Sequence, residues 1–523
     1  MASDKEDGEQ VDNKELYSCP SVVNPTTEQL TDIATRLGFH MDDVELKAYQ
    51  MMIKGNIDAM NSIEHLVEPT LTTKYPRLPG QTPSKADNSY NAWARRCEIR
   101  GADRGRLTGK RIAIKDSIAI ACMPMMNGSH ALEGFTPSYD ATVVSRVLDA
   151  GGVIVGKTVC EDMCFSACSS TAAQGPVFNP HDTTRSAGGS SSGNAVVLAI
   201  GEADMALGSD QGGSLRVPAS WTGVVGLKPT YGLVPYTGAI EGDPAIDHIG
   251  PMARTVEDCA LLLEVIAGYD RGFDPRQHPD TTVPQYTKQL VGASIKGLKI
   301  GLVEEGFGMP GAEESVNQLV ETTVRNMESL GAIVEGISVP MHSRAKDIYG
   351  TLAEGTGVYM QRPAGCVGAG FYPSSLVTEF GKLFHSRPDD FPLTMKMVLM
   401  QSEYLSRNYK NQVHARGRNL VFGLRQAYDH ALEKVDVLAL PTTPYRADKL
   451  MYRDDTLSEF LGKCFGMTTN TAAFNLSGHP ALSVNAGFLE GLPVGLMLVG
   501  RHFDELTIFK VAQAVEKIRD ETK

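Results

Sequence analysis

Residues 185–218 read RSAGGSSSGNAVVLAIGEADMALGSDQGGSLRVP. Two Gly/Ser clusters, Gly188-Gly189-Ser190-Ser191-Ser192-Gly193 and Gly212-Gly213-Ser214, stand on either side of an apolar segment. Glycine at such positions lets the backbone turn with positive φ and approach a ligand closely. Successive N–H groups in such a turn can converge on one oxygen, which is what stabilising an oxyanion requires. A flexible linker has a similar composition. However, Ala195 to Ile200 and Met205 to Leu207 are apolar and hold both clusters beside core segments, where a linker would not sit.

Outward from this stretch the pattern is strand, helix, strand. Arg111 to Lys115 reads as a short strand, Ala141 to Ala150 as a helix stopped by Gly151-Gly152, and Val153 to Val155 as the next strand. The alternation returns downstream. Strands are predicted at 298–303, 333–337, 436–440 (stopped at Pro441), 481–484 and 494–499, with helices at 314–330, 427–434 and 506–518. Val316, Leu319, Val320 and Val324 form the inward face of the first of these helices. The fold class is therefore α/β, with helices flanking one large sheet. Residues 351–405 mix Gly, Pro, Met and Tyr and read as an insertion or cap over the site.

Ahead of this lies a different kind of chain. Residues 1–20 are acidic and polar and read as a disordered tail, neither a secretory signal nor a transit peptide. Thr26-x-x-Gln29 is a capping box opening a helix with Leu30, Ile33 and Leu37 on one face, ended by Gly38. A second helical pattern carries Val44, Ala48, Met51 and Met52, and a third Ile57, Met60 and Ile63. The turn-rich stretch 71–89 then reads as a wrapping linker. The expected organisation is a helical domain with its linker over 21–90 and a catalytic domain over 91–523.

The chain has 523 residues, 42% of them hydrophobic and 21% charged, an ordinary composition for a globular protein. Lys+Arg 49 against Asp+Glu 62 gives a net charge of −13 without a basic run, which disfavours nucleic acid as a partner. No run approaches the length of a membrane span, so no membrane is expected and the cytoplasm is the default compartment. The nine cysteines are scattered and odd in number, unlike a disulfide framework. Cys160, Cys164 and Cys168 would share one face if their segment were helical. With no histidine nearby they read as buried thiols rather than metal ligands.

A serine in a glycine-rich turn needs a base. His181 and His248 stand in no recognisable triad order. Lys115 closes an apolar run inside the predicted core, where desolvation favours the neutral amine. The bland alternatives are a lysine that snorkels to the surface or pairs with Asp116.

Lys115, Ser190 and Ser214 occur together in an ordered set of motifs. These are GKRIAIKDSI (109–118), GGSSSGNA (188–195), GSDQGGSLRVPASWTGVVGLKPTYGLVP (208–235), IDHIGPMARTVEDCALLLEVIAG (246–268), DVLALPTTP (436–444) and a long C-terminal block (478–516). From Gly109 to Glu516 the chain resembles the amidase signature family of serine hydrolases. Its helical N-terminus and MPMMNGSHALEGFTPS (123–138) look most like bacterial nitrile-pathway amidases. The resemblance implies a large mixed, twisted sheet flanked by helices. It implies Ser214 as nucleophile, Ser190 as a bridging hydroxyl after a cis peptide, and Lys115 as base. It also implies an oxyanion hole from the N–H groups of Gln211, Gly212, Gly213 and Ser214. Asp210 and Arg216 would pair to shape the loop, Ser191 and Ser192 would be supporting donors, and Cys164, Phe165, Ile246 and Tyr349 would line the acyl side. No cofactor or metal is implied, and a homodimer is.

Two departures stand out: Ser192 replaces a glycine of the GGSSGG pattern, and Val159 stands where relatives often carry Asn. The expected reaction is hydrolysis of a small aliphatic or aromatic amide to acid and ammonia. The alternatives are carbamate or anilide cleavage by the same chemistry, and the glutaminase component of a tRNA-dependent amidotransferase. A silent interaction protein and a membrane fatty-amide hydrolase fit less well, the last because no anchoring helix is evident.

Overall fold

The computed structural model describes residues 22–361, 370–451 and 456–521. The expected disordered tail (1–20) lies outside them. The chain divides into two compact units at Thr70/Leu71, so the turn-rich 71–89 stretch belongs to the larger one.

The smaller unit holds two helices, Thr27–Leu37 and Asp43–Ser62. The first starts on the Thr26/Gln29 capping box and ends at Gly38 in the left-handed conformation, φ 76°. The second has its own box, Asp42 with Glu45. The two later helical patterns of the sequence are one continuous helix, because nothing after Asp43 breaks it before Ile63. Its expected apolar faces are corrected too. Leu46 and Ile57 are buried, whereas Val44, Met51, Met52 and Met60 are exposed. Leu30, Ala34 and Leu46 make a small core of their own.

In the larger unit eleven strands form one sheet. They are β1 Trp93–Arg100, β2 Arg111–Lys115, β3 Val153–Thr158, β4 Met205–Asp210, β5 Val225–Lys228, β6 His248–Ala253, β7 Lys299–Val303, β8 Ile333–Ile337, β9 Val437–Pro441, β10 Ala481–Leu489 and β11 Leu492–Val499. Their order is β1-β3-β2-β4-β6-β5-β10-β11-β9-β7-β8. Parallel pairing joins β3, β2 and β4 on one side and β9, β7 and β8 on the other. The strands between them are antiparallel. This is the mixed sheet flanked by helices that the resemblance implied.

Hydrophobic burial on both faces drives the layering. The Thr142–Asp149 helix buries Val143, Val144, Val147 and Leu148. The Ser192–Ala199 helix is buried nearly all round and packs Val196, Val197 and Leu198 with Ala113 of β2 and Ala206 of β4. In the Glu314–Asn326 helix Val316, Val320 and Val324 are buried as the periodicity indicated, with Leu319 partly so. The helix predicted at 427–434 begins far earlier, at Gln412. The described part of 351–405 is mainly helical: Ala353–Gln361, Ser374–Ser386 and Leu393–Tyr409.

The three spaced cysteines do not share a helix face. Asp162–Cys164 is a single 3-10 turn with Met163 and Cys164 at positive φ (51° and 59°). Cys160 and Cys164 both point at Asn127 Oδ1, whereas Cys168 Sγ lies 3.9 Å from Cys464 Sγ.

Candidate active site

Parallel pairing aligns the C-terminal ends of β2 and β4, the edge of an α/β sheet where ligands usually sit. Lys115 ends β2 and Asp210 ends β4. Lys115 is fully buried, and its Nζ donates to Ser190 Oγ at 2.7 Å, Ser209 Oγ at 2.9 Å and the Ser209 carbonyl at 3.4 Å. Neither bland reading of this lysine survives. It does not snorkel, and Asp116 faces Lys157 instead, Oδ1 to Nζ 3.1 Å. The second Asp116 oxygen accepts the Met126 and Asn127 N–H groups at 3.0 Å. Among the described residues no carboxylate reaches ion-pair distance of Lys115.

Ser190 follows a cis Gly189–Ser190 peptide bond and is fully buried. The next residue ties its loop to the second cluster: Ser191 N–H donates to the Ser214 carbonyl at 3.2 Å, and Ser191 Oγ to the Ser209 carbonyl at 3.3 Å. Ser192 Oγ is buried without a hydrogen-bond partner among the described residues. Ser214 is 7% exposed, whereas Ser190 and Lys115 are sealed from solvent.

The turn carrying Ser214 is pinned from both sides. Asp210 and Arg216 form a fully buried bidentate pair, Nε to Oδ2 3.0 Å and Nη2 to Oδ1 2.9 Å. Burial by itself would raise the Asp210 carboxyl, but the Arg216 guanidinium, Asn475 and the Leu215 N–H hold it far below the usual carboxylate range. Asp210 also accepts the N–H groups of Gly213 (2.7 Å) and Leu215 (3.0 Å). This corrects the expected oxyanion set, because the Gly213 N–H is committed to Asp210. The Gln211, Gly212 and Ser214 N–H groups have no hydrogen-bond partner among the described residues. Gly213 has φ 140°, and a Cβ there would collide with the Thr471 hydroxyl, so only glycine fits.

Two carbonyls of the turn are held as well. Tyr349 OH donates to the Gln211 carbonyl at 3.1 Å, and Thr471 Oγ1 to the Gly212 carbonyl at 2.6 Å. In a planar trans peptide the C=O and N–H point opposite ways, so anchoring one aims the other. Tyr349 is thus a fastening of the turn as well as a neighbour of the site. Thr471, Asn475 and Ser209 escaped sequence reasoning. Asn475 bridges the buried pair, accepting from Arg216 at 2.7 Å and donating to Asp210 at 2.9 Å. The one signal for Thr471 and Asn475 was polarity inside the core-like stretch TTNTAAFNLSG (468–478), and Ser209 lies near the end of β4.

Of the other residues expected on the acyl side, Cys164 belongs to the neighbourhood of Lys115 and Ser190. Burial would raise its thiol, but a hydrogen bond from Cys160, the Lys115 charge and a hydrogen bond from Ser190 together pull it down to about 6. Ile246 packs with Ile348 in the cluster that Tyr349 borders. Phe165 meets Phe465 edge-on at 6.2 Å. A separate cavity of about 480 Å³ is walled by Tyr236, Ile240, Phe273, Met360, Phe371 and Phe380. None of Lys115, Ser190, Ser214, Phe165, Ile246 or Tyr349 lines it. Its link to the turn is Tyr236, whose hydroxyl receives Gln211 Nε2 at 2.7 Å.

A buried lysine thus bonds a serine that follows a cis peptide, and the next residue, Ser191, ties that loop to the pinned glycine turn carrying Ser214. Comparison with known proteins identifies the family: the amidase family matches residues 82–509, and the chain belongs to that family of amide-acting amidase signature hydrolases. An enantioselective amidase of Rhodococcus rhodochrous is 39% identical over 499 residues, 94% of this chain and 95% of that protein. Among solved structures, a glutamyl-tRNA(Gln) amidotransferase subunit of Thermotoga maritima superposes with TM-score 0.66 at 31% identity, covering 80% of this chain and 85% of that one. The native peptide amidase of Stenotrophomonas maltophilia gives TM-score 0.65 at 30% identity, over 80% and 84%. Among the described residues no helix is long and apolar enough to cross a membrane.

Proposed function

We propose that this protein hydrolyses a small aliphatic or aromatic primary amide to the carboxylic acid and ammonia through an acyl-enzyme on Ser214. In its unprotonated form Lys115 accepts the proton of Ser190 while Ser190 accepts that of Ser214, whose oxygen attacks the amide carbonyl. A hydroxyl can donate and accept at once, which is what a bridging group must do. The developing oxyanion is received by N–H groups of Gln211, Gly212 and Ser214, each such donor contributing roughly 3–4 kcal/mol to lowering the barrier. The relay reverses to protonate departing ammonia. Water then releases the acid by the same route.

The observation that carries this reading is the 2.7 Å contact from Lys115 Nζ to Ser190 Oγ, fully buried and without a carboxylate counter-ion among the described residues. Ammonia release from benzamide and propionamide tests it, with Ser214→Ala expected to retain its fold and lose turnover. A few per cent of residual activity in Ser214→Ala rules out that nucleophile. Release of amine from ethyl carbamate or an anilide, with none from the amides, moves the substrate class to carbamates or anilides.

A second reading is favoured by the similarity to the amidotransferase component of Thermotoga maritima. On that reading the chain liberates ammonia from glutamine only when partner proteins are supplied. The 39% identity to an amidase across nearly the whole of both chains favours the free-standing enzyme.

A further inference from the structure

Behind the helix that carries Thr471 and Asn475, three segments bring a second set of polar side chains together. Asp429 comes from the Gln412–Lys434 helix, His479 from the turn before β10, and His502 from the loop after β11. One ligand atom from each lies within 4.8 Å of the others. His479 Nε2 is 3.0 Å and His502 Nδ1 3.8 Å from the same Asp429 Oδ1. The two imidazoles face each other with ring centres 4.0 Å apart.

Ser477, the last residue of the Ala472–Ser477 helix, sets both rings. Its carbonyl contacts His502 Nε2 at 3.1 Å, and its Oγ contacts His479 Nδ1 at 3.0 Å. A carbonyl can only accept, so the His502 proton sits on Nε2 and the neutral ring turns a bare Nδ1 toward the carboxylate. His479 Nε2 lies against that same carboxylate oxygen, and because the Ser477 hydroxyl can donate to or accept from Nδ1, the ring can hold its proton on Nδ1 when Nε2 is taken by a ligand. In that form two nitrogen lone pairs and a carboxylate oxygen converge within 4.8 Å, with the Arg425 guanidinium on the far side of the Ser477 carbonyl that it shares with His502. Orienting the far nitrogen of a ligating histidine through a hydrogen bond is the usual support of a metal site.

We propose that Asp429, His479 and His502 form a binding site for one divalent transition-metal ion of the zinc or cobalt class. Two imidazoles and one carboxylate suit such ions better than calcium or magnesium. Tetrahedral bonds of about 2.1 Å place donor atoms roughly 3.4 Å apart, between the two spacings seen here. Binding opens the ring pair to accommodate the ion and leaves the fourth position to water on the side where Asp429 is half exposed. The role is structural. The ion ties three segments to the end of the helix whose Thr471 and Asn475 hold the Ser214 turn, and it takes no part at the triad.

The test uses the full-length protein, stripped with a chelator and titrated with Zn²⁺ or Co²⁺ by calorimetry and thermal melting. The expected result is one ion per chain at micromolar affinity or tighter, a raised melting temperature, and the visible bands of tetrahedral Co²⁺. Asp429→Asn and His502→Gln, both outside the core, should each weaken binding at least about tenfold, and Ser477→Ala by about tenfold. Millimolar binding alone, or binding unchanged in Asp429→Asn, overturns the proposal. So does a melting temperature indifferent to either ion.

Discussion

Thr471→Val removes one hydroxyl and keeps the shape of the side chain. In the folded protein that hydroxyl donates to the Gly212 carbonyl at 2.6 Å, a short bond to a backbone group with no other partner among the described residues. The net worth of such a bond is about 1 kcal/mol, larger if the carbonyl is then left unsatisfied. Gly212 is only partly buried, so water can replace the donor and the figure stays near 1 kcal/mol. If that energy serves to hold the turn in its reactive shape, it appears in kcat, where 1.36 kcal/mol is tenfold; the expected loss is about fivefold with KM little changed. Tyr349→Phe tests the neighbouring peptide. Its 3.1 Å bond is longer, and about 0.5–1 kcal/mol predicts a two- to fivefold loss of kcat. The double variant should lose more than the product of the two, because both anchors fix one turn. Steady-state ammonia release on a primary amide gives kcat and KM separately. Unchanged kcat in both single variants, or a rise in KM alone for Tyr349→Phe, refutes the anchoring argument and returns Tyr349 to a pocket wall.

Arg216→Met leaves Asp210 charged and unpaired in the core, at a cost of about 3–5 kcal/mol, so its thermal midpoint should fall sharply; an unchanged melt would mean the pair is not a fastening. Ser209→Ala removes the second hydroxyl from Lys115 and should lower kcat severalfold while leaving KM and the melting curve nearly unchanged. Burial, only partly offset by the Val256 N–H, raises Glu516 from 4.5 to about 7. The folded chain therefore holds a proton there that the unfolded chain has lost. That stabilisation is complete below pH 4.5 and disappears as pH rises through 7, a change of roughly 3 kcal/mol. Glu516→Gln should match the parent at pH 4.5 and be the more stable protein at pH 8; equal melts at both pH values contradict this.

The sequence was most legible where a single strand or helix carries its own signal. β2 is an apolar run and β3 one that starts directly after Gly151-Gly152, and both lie where the alternation placed them. β6 was missed for a physical reason. HIGPMA contains Gly250 and Pro251, residues that normally count against a strand, yet a Cβ on Gly250 would meet the Leu227 carbonyl of neighbouring β5. β1 was hidden differently. WARRCEIR carries three arginines and sits at the sheet's edge, where charge is tolerated and hydrophobic alternation is weak. The three polar groups of the site were legible because the residue types themselves are unusual in a core. Their supports were not, since Thr471 and Asn475 act across more than 250 residues and nothing local distinguishes them. The distribution of donors around Asp210 was equally invisible, and it is what commits the Gly213 N–H that the resemblance assigned to an oxyanion.

On the proposed role of Ser214, whose loop is clamped by groups more than 250 residues later, catalytic competence cannot precede synthesis of those groups. A ribosome that has finished β4 and the turn after it has made Ser214 but not the Thr471–Asn475 clamp, and β5 still waits for β10 to pair with it. A prematurely terminated polypeptide therefore carries Ser214 in a turn that lacks these two anchors. Turnover becomes a late reporter of assembly, rising only when residues more than 250 positions apart have met, and a fragment ending at residue 465 should regain activity only when a second polypeptide supplies the remainder.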